Sequence, residues 1–492
     1  MNALPPSPPT AAPDLAVPDP AAAIVAEFAA RTPRSKAMAA ANRAVLADRT
    51  PVAMAFAPEL KEAFYPIVSD RSEGARLWDI DGNAYVDILM GLGCNLLGHN
   101  PAPIRAALED RLRRGVQIGP QSEIAGEAAR LFAGLTGLER VTFSNTGTEA
   151  VMTAIRLARA ATGRRGIAVF AGSYHGHADV ALFRPNRLER LRRGALERAG
   201  SGPLRALRPL LARMAFPAAA PGFAGIPPAQ GRDILVLDYA DPRALDILRR
   251  RGKELAAVLV EPVQSRRPEL QPAAFLRDLR EVTRATGTAL IFDEMISGFR
   301  VAPGGAQEHF GVRADLATYG KIAGGGLPLS LIAGSARFMD RVDGGPWAFG
   351  DDSAPLVPTT FFAGTHCRHP LSLTAALAMG QVLAAEGPAL QARLNAATEG
   401  LVLALDAGAE ARGLPVRFTR FGSFFAVDGG RSRLGPQASA LLSLALLASG
   451  LHLRPGDRGG FLSTAHDAEQ RDFVVAAFLA ALERLDAYGL LI

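Results

Sequence analysis

The chain has 492 residues, of which 49% are apolar and 21% charged, and a formal net charge of +6. Length and composition describe a globular chain of two or three domains with a large core, and exclude a fibrous or wholly disordered one. The charge does not describe a nucleic-acid-binding protein: residues 187–213 hold eight arginines and two glutamates and so carry the whole excess, with no zinc finger, stacking-aromatic array or helix-turn-helix beside them.

Residues 1–21 are rich in proline and alanine and read as a disordered lead-in, without the basic and apolar regions of a signal peptide. Residues 22–105 are expected to open a smaller domain. Over residues 106–369, short apolar runs alternate with amphipathic ones. "RVTFSNTGTEAVMTAIRLARAAT" reads as strand, loop and helix, and "GIAVFAGSYHGHAD" as a strand entering a loop. "DILVLDY", "LAAVLVEPVQ" and "TALIFDEMISGF" are strands, with helices "RALDILRRRGKE" and "PAAFLRDLREVTRATG" between them. This alternation predicts an α/β large domain on a mostly parallel sheet covered on both faces. A basic insertion at 184–230 interrupts it.

Residues 370–492 read as two long helices followed by a short strand, "FGSFFAVDG", and complete a small α+β domain. The most apolar stretch, Ala438 to Leu453, is shorter than the ~18 residues of a membrane span and reads as a buried helix. Two cysteines, Cys94 and Cys367, give no disulfide framework, so a reducing cytoplasm is expected.

In open parallel sheets, ligands bind beyond the carboxyl ends of the strands, and the polar clusters fall there. Thr146, Gly147 and Thr148 mark a strand-to-helix junction, where free N–H groups and the helix dipole favour a phosphate; an ordinary N-cap with Glu149 in the first turn accounts for the same residues. Tyr174 follows a strand end and suits stacking on a planar ring. His175 and His177, like the histidines of "THCRHP" (Thr365 to Pro370), lack a third ligand at metal spacing and read as structural or substrate-lining. Asp293 and Glu294 end a buried strand, which fits either a metal or an acid aimed at a ligand cation such as a protonated pyridine.

The last cluster carries a lysine. Among 54 lysines and arginines only four are lysine: Lys36, Lys61, Lys253 and Lys321. An arginine stays protonated, whereas a desolvated lysine loses its proton and attacks a carbonyl. Lys321 precedes Gly324, Gly325 and Gly326, where backbone can approach a ligand closely. Phosphate anchor, ring stacker, buried aspartate and lysine, in this order at successive strand ends, are the equipment for pyridoxal 5′-phosphate.

The motifs "SNTGTEA", "SYHG", "VEPV", "DEMISGFR", "GKIAGGGLP" and "FFAGT" occur in order, and from about residue 60 the chain resembles fold-type I, class III aminotransferases. Within them it looks most similar to the glutamate-1-semialdehyde aminomutase branch, and there to aminotransferase domains of hybrid polyketide/nonribosomal peptide synthetases and their free-standing relatives. "YPIVSDRSEGARLWDIDGNAYVDI", "VLVEPVQSRRPELQP" and "TFFAGTHCRHPLSL" carry that closer likeness.

The resemblance implies a seven-stranded large-domain sheet, a Schiff-base role for Lys321 and a bond from Asp293 to the pyridine nitrogen. It also implies phosphate binding by Gly147 and Thr148 with Thr146 flanking, stacking by Tyr174, and a pocket lined by Glu261 and Gln264. Thr365 would reach the phosphate from a neighbouring subunit, which implies a homodimer. Many class III enzymes carry glutamine where Ile296 stands, a departure shared with the aminomutase branch.

The implied reaction is ping-pong transamination: glutamate or glutamine donates an amine that passes to an aldehyde or ketone of specialised metabolism, such as antibiotic biosynthesis. A β-ketoacyl thioester on an acyl carrier protein is one such acceptor, and the basic insertion could dock it. Arg266 and Arg267 suit a donor carboxylate. The alternative is a glutamate-1-semialdehyde 2,1-aminomutase. No nucleic acid, membrane or metal is expected.

Overall fold

The computed structural model describes residues 20–48, 54–188, 191, 219–435 and 437–491. Nearly all of the lead-in and of the basic stretch 187–213 therefore lies outside the described residues, and with it any docking role for that stretch.

A seven-stranded sheet organises the large domain. Its spatial order is Arg140–Ser144, Ser330–Gly334, Leu316–Tyr319, Ala289–Asp293, Leu255–Val260, Gly166–Phe170, Ile234–Leu237. All neighbours are parallel except Ser330–Gly334, which runs antiparallel to both of its own. The runs "LAAVLV" and "ALIFD" are buried at every residue, as a strand covered on both faces must be.

Alternate side chains enter two cores. Leu290 and Phe292 join Leu276, Leu279 and Leu248 from the helices Ala273–Thr286 and Pro242–Arg251. Ala289 and Ile291 join Ala150, Ala154, Leu157 and Ala158 from the helix Gly147–Thr162. Small residues on that helix let it sit close to the sheet. Each fully buried Leu, Ile or Phe contributes about 1.5–3 kcal/mol, so the strand register is strongly fixed.

The chain termini build the second unit. The strand Leu451–His452 pairs in parallel with Ala84–Asp87, and Ile24 and Phe28 share a core with Leu442, Leu446 and Phe478. A three-stranded sheet, Phe418–Phe421, Phe424–Val427 and Gly459–Phe461, completes it. The helix Pro370–Glu386, on the small-domain side of the boundary expected at residue 370, instead sends Leu373, Met379 and Leu383 into the large core. The apolar helix Ala438–Ala448 is buried, and no single helix among the described residues is long and apolar enough to cross a membrane.

The antiparallel strand positions the lysine. The chain leaves Leu316–Tyr319 at the carboxyl edge, makes the short turn Lys321–Gly324 and returns as Ser330–Gly334. Lys321 itself has φ 47, a left-handed conformation that is costly for a side-chain-bearing residue and common at functional sites. Gly325 has φ +57, and a Cβ there would lie 2.7 Å from the Ala375 carbonyl oxygen. No other residue type fits that turn without moving the helix behind it.

Candidate active site

The carboxyl edge of the sheet borders a cavity of about 250 Å³. Gly147, Thr148, Tyr174, Glu261, Asp293 and Lys321 all line it, although they span residues 147 to 321. Leu92, Val263, Met295 and Ile296 add apolar wall.

Asp293 ends its strand 4% exposed. One carboxylate oxygen lies 2.7 Å from His175 Nδ1, and the other accepts from the Met295 N–H at 3.2 Å and the Thr318 hydroxyl at 3.3 Å. The acid pair separates by function. Glu294 points away and accepts from the Ser297 hydroxyl, the Ala306 N–H and the Gln307 N–H, so it holds the start of the helix Ala306–Phe310. Burial lifts its pKa to about 7 despite those donors.

Burial also drives the Lys321 amine downward, with Asp293, Cys94 and Glu261 opposing and Arg300 adding to the drop. A lysine so placed is a better nucleophile than an exposed one. Glu261 is shifted up by burial and accepts from the Tyr174 and Ser265 N–H groups at 2.9 and 3.2 Å. Tyr174 is 50% exposed at the rim.

At the helix start, the Thr146 hydroxyl accepts from the Glu149 N–H at 3.2 Å, and the Glu149 carboxylate accepts from the Asn145 N–H. Thr146 is thus an N-cap outside the cavity wall. Thr148 faces inward, with its hydroxyl also accepting from the His177 N–H. A Cβ on Gly147 would lie 2.9 Å from Met295 Sδ; glycine keeps the helix N-terminus open.

One expected pocket residue stands elsewhere, and the residue expected to serve a neighbouring subunit lies outside its own cavity. Gln264 is buried behind the wall, its amide donating to the Ala171 carbonyl at 3.0 Å and so bracing the loop before Tyr174. Thr365 is exposed and outside the cavity of its own chain. Arg266 and Arg267 are exposed, and Arg267 pairs with Glu269 at 3.4 Å. His369 caps the helix Pro370–Glu386, and no three His, Cys, Asp or Glu side chains group at metal distance among the described residues.

Sequence reasoning missed His175 as the partner of Asp293, and missed Leu92 and Cys94 beside the lysine. His175 was in view in "SYHGHAD", but spacing alone does not say which of two histidines faces inward. The residues present fit pyridoxal 5′-phosphate: an open helix N-terminus for the phosphate, an acid for a ring cation, and a desolvated amine share one cavity.

Comparison with known proteins agrees. The family model for class III aminotransferases matches residues 57–201 and 211–452. A glutamate-1-semialdehyde 2,1-aminomutase from Thermomicrobium roseum is 37% identical over 430 residues, covering 85% of this chain and 91% of the relative. One from Deinococcus deserti is 41% identical over 354 residues, covering 72% and 73%. The crystal structure of an omega-transaminase from Sphaerobacter thermophilus superimposes with a TM-score of 0.77 at 32% identity, over 92% of this chain and 98% of the other. The chain belongs to the class III aminotransferase family of pyridoxal-phosphate-dependent, fold-type I enzymes.

Proposed function

We propose that the chain moves an amino group between an amine-bearing carbon and a carbonyl carbon, with Lys321 as the residue that holds the cofactor and carries the proton. The observation that supports this most directly is the convergence of Lys321 and Asp293 on one cavity beside the open helix N-terminus at Gly147. Bound pyridoxal phosphate supplies an electron sink for the α-carbon of an amino substrate. The chain's own residues do the rest. Gly147 and Thr148 would hold the phosphate, Asp293 would keep the ring nitrogen protonated, and Tyr174 would cover the ring. The Lys321 amine, when not holding the cofactor, would be placed to take a proton from the α-carbon as a base and to give it back as an acid.

One substrate reading is intermolecular: an amino acid donor, glutamate or glutamine, and a separate aldehyde or ketone acceptor of specialised metabolism. The apolar wall of Leu92, Val263, Met295 and Ile296 supports an acceptor with an apolar substituent, and Lys321 is the only cation on the cavity wall among the described residues. The second reading is glutamate-1-semialdehyde aminomutase, favoured by the names of the curated relatives. Those names describe a free small molecule, and the carrier-bound acceptor finds no support in them.

A homodimer belongs to the same proposal. Thr365 is exposed, and Trp347, Phe349, Leu356 and Phe361 in the preceding stretch are exposed too, which supports cover by a second copy. A cytoplasmic setting fits the two free cysteines.

The test is turnover of glutamate-1-semialdehyde by the purified holoenzyme with no donor added, beside visible spectra recorded with each candidate donor. Donor-free turnover establishes the aminomutase. A spectral change with one donor and no donor-free turnover establishes intermolecular transfer.

A further inference from the structure

Arg300 is 1% exposed, yet no carboxylate acts on it among the described residues. Its guanidinium donates to the Ile296 carbonyl at 2.8 Å, the Ser423 hydroxyl at 2.9 Å and the Gly93 carbonyl, and sits 4.7 Å over the Phe461 ring. Burial lowers its pKa only to about 10, so it stays cationic at neutral pH. A buried charge held by neutral acceptors alone is costly, and the surroundings are shaped to retain it. A Cβ on Gly93 would lie 2.6 Å from Arg300 Nη2, and one on Gly422 would lie 3.3 Å from Arg300 Cγ. On either side, Gln391 and Asn395 donate to the Phe299 and Val301 carbonyls at 3.0 and 3.1 Å.

What Arg300 grips is itself strained. Met90, Gly91, Leu92 and Gly93 have φ of 46, 61, 58 and 86. Left-handed residues other than glycine are strained and persist only when held. Asp87 accepts from the Leu89 and Met90 N–H groups at the start of this turn; Arg300 takes its last carbonyl. Between the two anchors, Leu92 enters the wall of the Lys321 cavity.

We infer that Arg300 is a positioning residue for the Lys321 site: it holds the left-handed Met90–Gly93 turn, and with it Leu92, against the cavity. This rests on the reading of Lys321 as the attachment residue.

The test follows attachment of pyridoxal 5′-phosphate to the full-length chain by visible absorbance across pH, with borohydride trapping and peptide mapping at Lys321. Amide exchange over residues 89–95 is measured in parallel. Arg300→Lys keeps the charge and loses the fork, so exchange of the turn rises at least tenfold and attachment at Lys321 slows about threefold. Unchanged exchange or an unchanged attachment rate in folded Arg300→Lys overturns the positioning role. If Arg300→Lys does not fold, Ser423→Ala, which removes one acceptor of the fork, decides the point by the same two readings. Attachment that survives Lys321→Ala sinks the underlying reading of Lys321 and not the role of Arg300.

Discussion

His175 Nδ1 lies 2.7 Å from Asp293 Oδ2, with both side chains at most 3% exposed. The histidine is to the aspartate what the aspartate would be to the cofactor ring: an oriented, buried partner. A hydrogen bond to a charged group contributes about 1.5–3 kcal/mol, and each 1.4 kcal/mol is tenfold in an equilibrium.

His175→Ala should therefore weaken cofactor retention by about 10- to 100-fold, measured by titrating the cofactor into stripped protein. His175→Asn, whose amide reaches where Nδ1 stands, should recover much of the loss. Equal loss in both variants would mean that the ring matters for packing alone.

This pair also shows where the sequence stopped being readable. Thr148, Tyr174, Asp293 and Lys321 were legible because each sits where an apolar run ends, and strand ends in a parallel sheet share one edge. The parallel sheet was legible for the same reason: "LAAVLV" and "ALIFD" have no polar face to offer water. Which histidine of "SYHGHAD" meets Asp293 depends on how a loop crosses that edge, and no spacing encodes it. The left-handed turn at Met90–Gly93 was invisible because two of its residues are not glycine. Gln264 stands outside the cavity because direction, not chain position, decides which side chains converge.

Two glycines at the phosphate end make unequal demands. At Gly147 the obstacle to a Cβ is the Met295 thioether at 2.9 Å, a flexible end that can swing away. At Gly176, φ is +80 and a Cβ would lie 2.5 Å from Thr148 Oγ1 and 2.9 Å from Thr148 Cα. Gly147→Ala should lower cofactor affinity by less than about tenfold, whereas Gly176→Ala, which adds strain of about 1–3 kcal/mol and displaces Thr148, should cost more than that. Paired titrations check the order, and the reverse ranking would remove Thr148 from the phosphate site.

Lys321→Arg isolates what the lysine does beyond carrying charge. The guanidinium keeps a cation near Asp293 but cannot condense with an aldehyde. The variant should still bind cofactor through Gly147, Thr148 and Asp293, while borohydride treatment leaves no cofactor on the peptide around position 321. Wild-type protein treated alike should carry it there, and a trapped adduct on Lys36, Lys61 or Lys253 would refute the assignment.

Asp87 gives a prediction about stability rather than catalysis. Its carboxylate is buried, lies 2.7 Å from His452 Nδ1 and 2.7 Å from His99 Nε2, and also accepts from the backbone before the left-handed turn. Burial alone would raise the carboxyl; the two histidines outweigh it and hold it well below the ordinary carboxylate range. A depressed folded-state pKa stabilises the fold wherever the unfolded carboxyl, with a pKa near ~3.9, is ionised. The contribution is thus complete above about pH 5 and is lost as pH falls below ~4 toward the folded value. Asp87→Asn, which leaves the histidines facing a neutral amide, should cost about 3 kcal/mol at pH 7. Since acid protonates the unfolded carboxyl first, the gap in denaturation midpoint between the two proteins should begin to narrow as pH drops below ~4 and keep narrowing toward the folded value. A gap that stays constant over that range would mean that Asn fails there for shape, and that the charge of Asp87 contributes nothing to holding the turn beside Lys321.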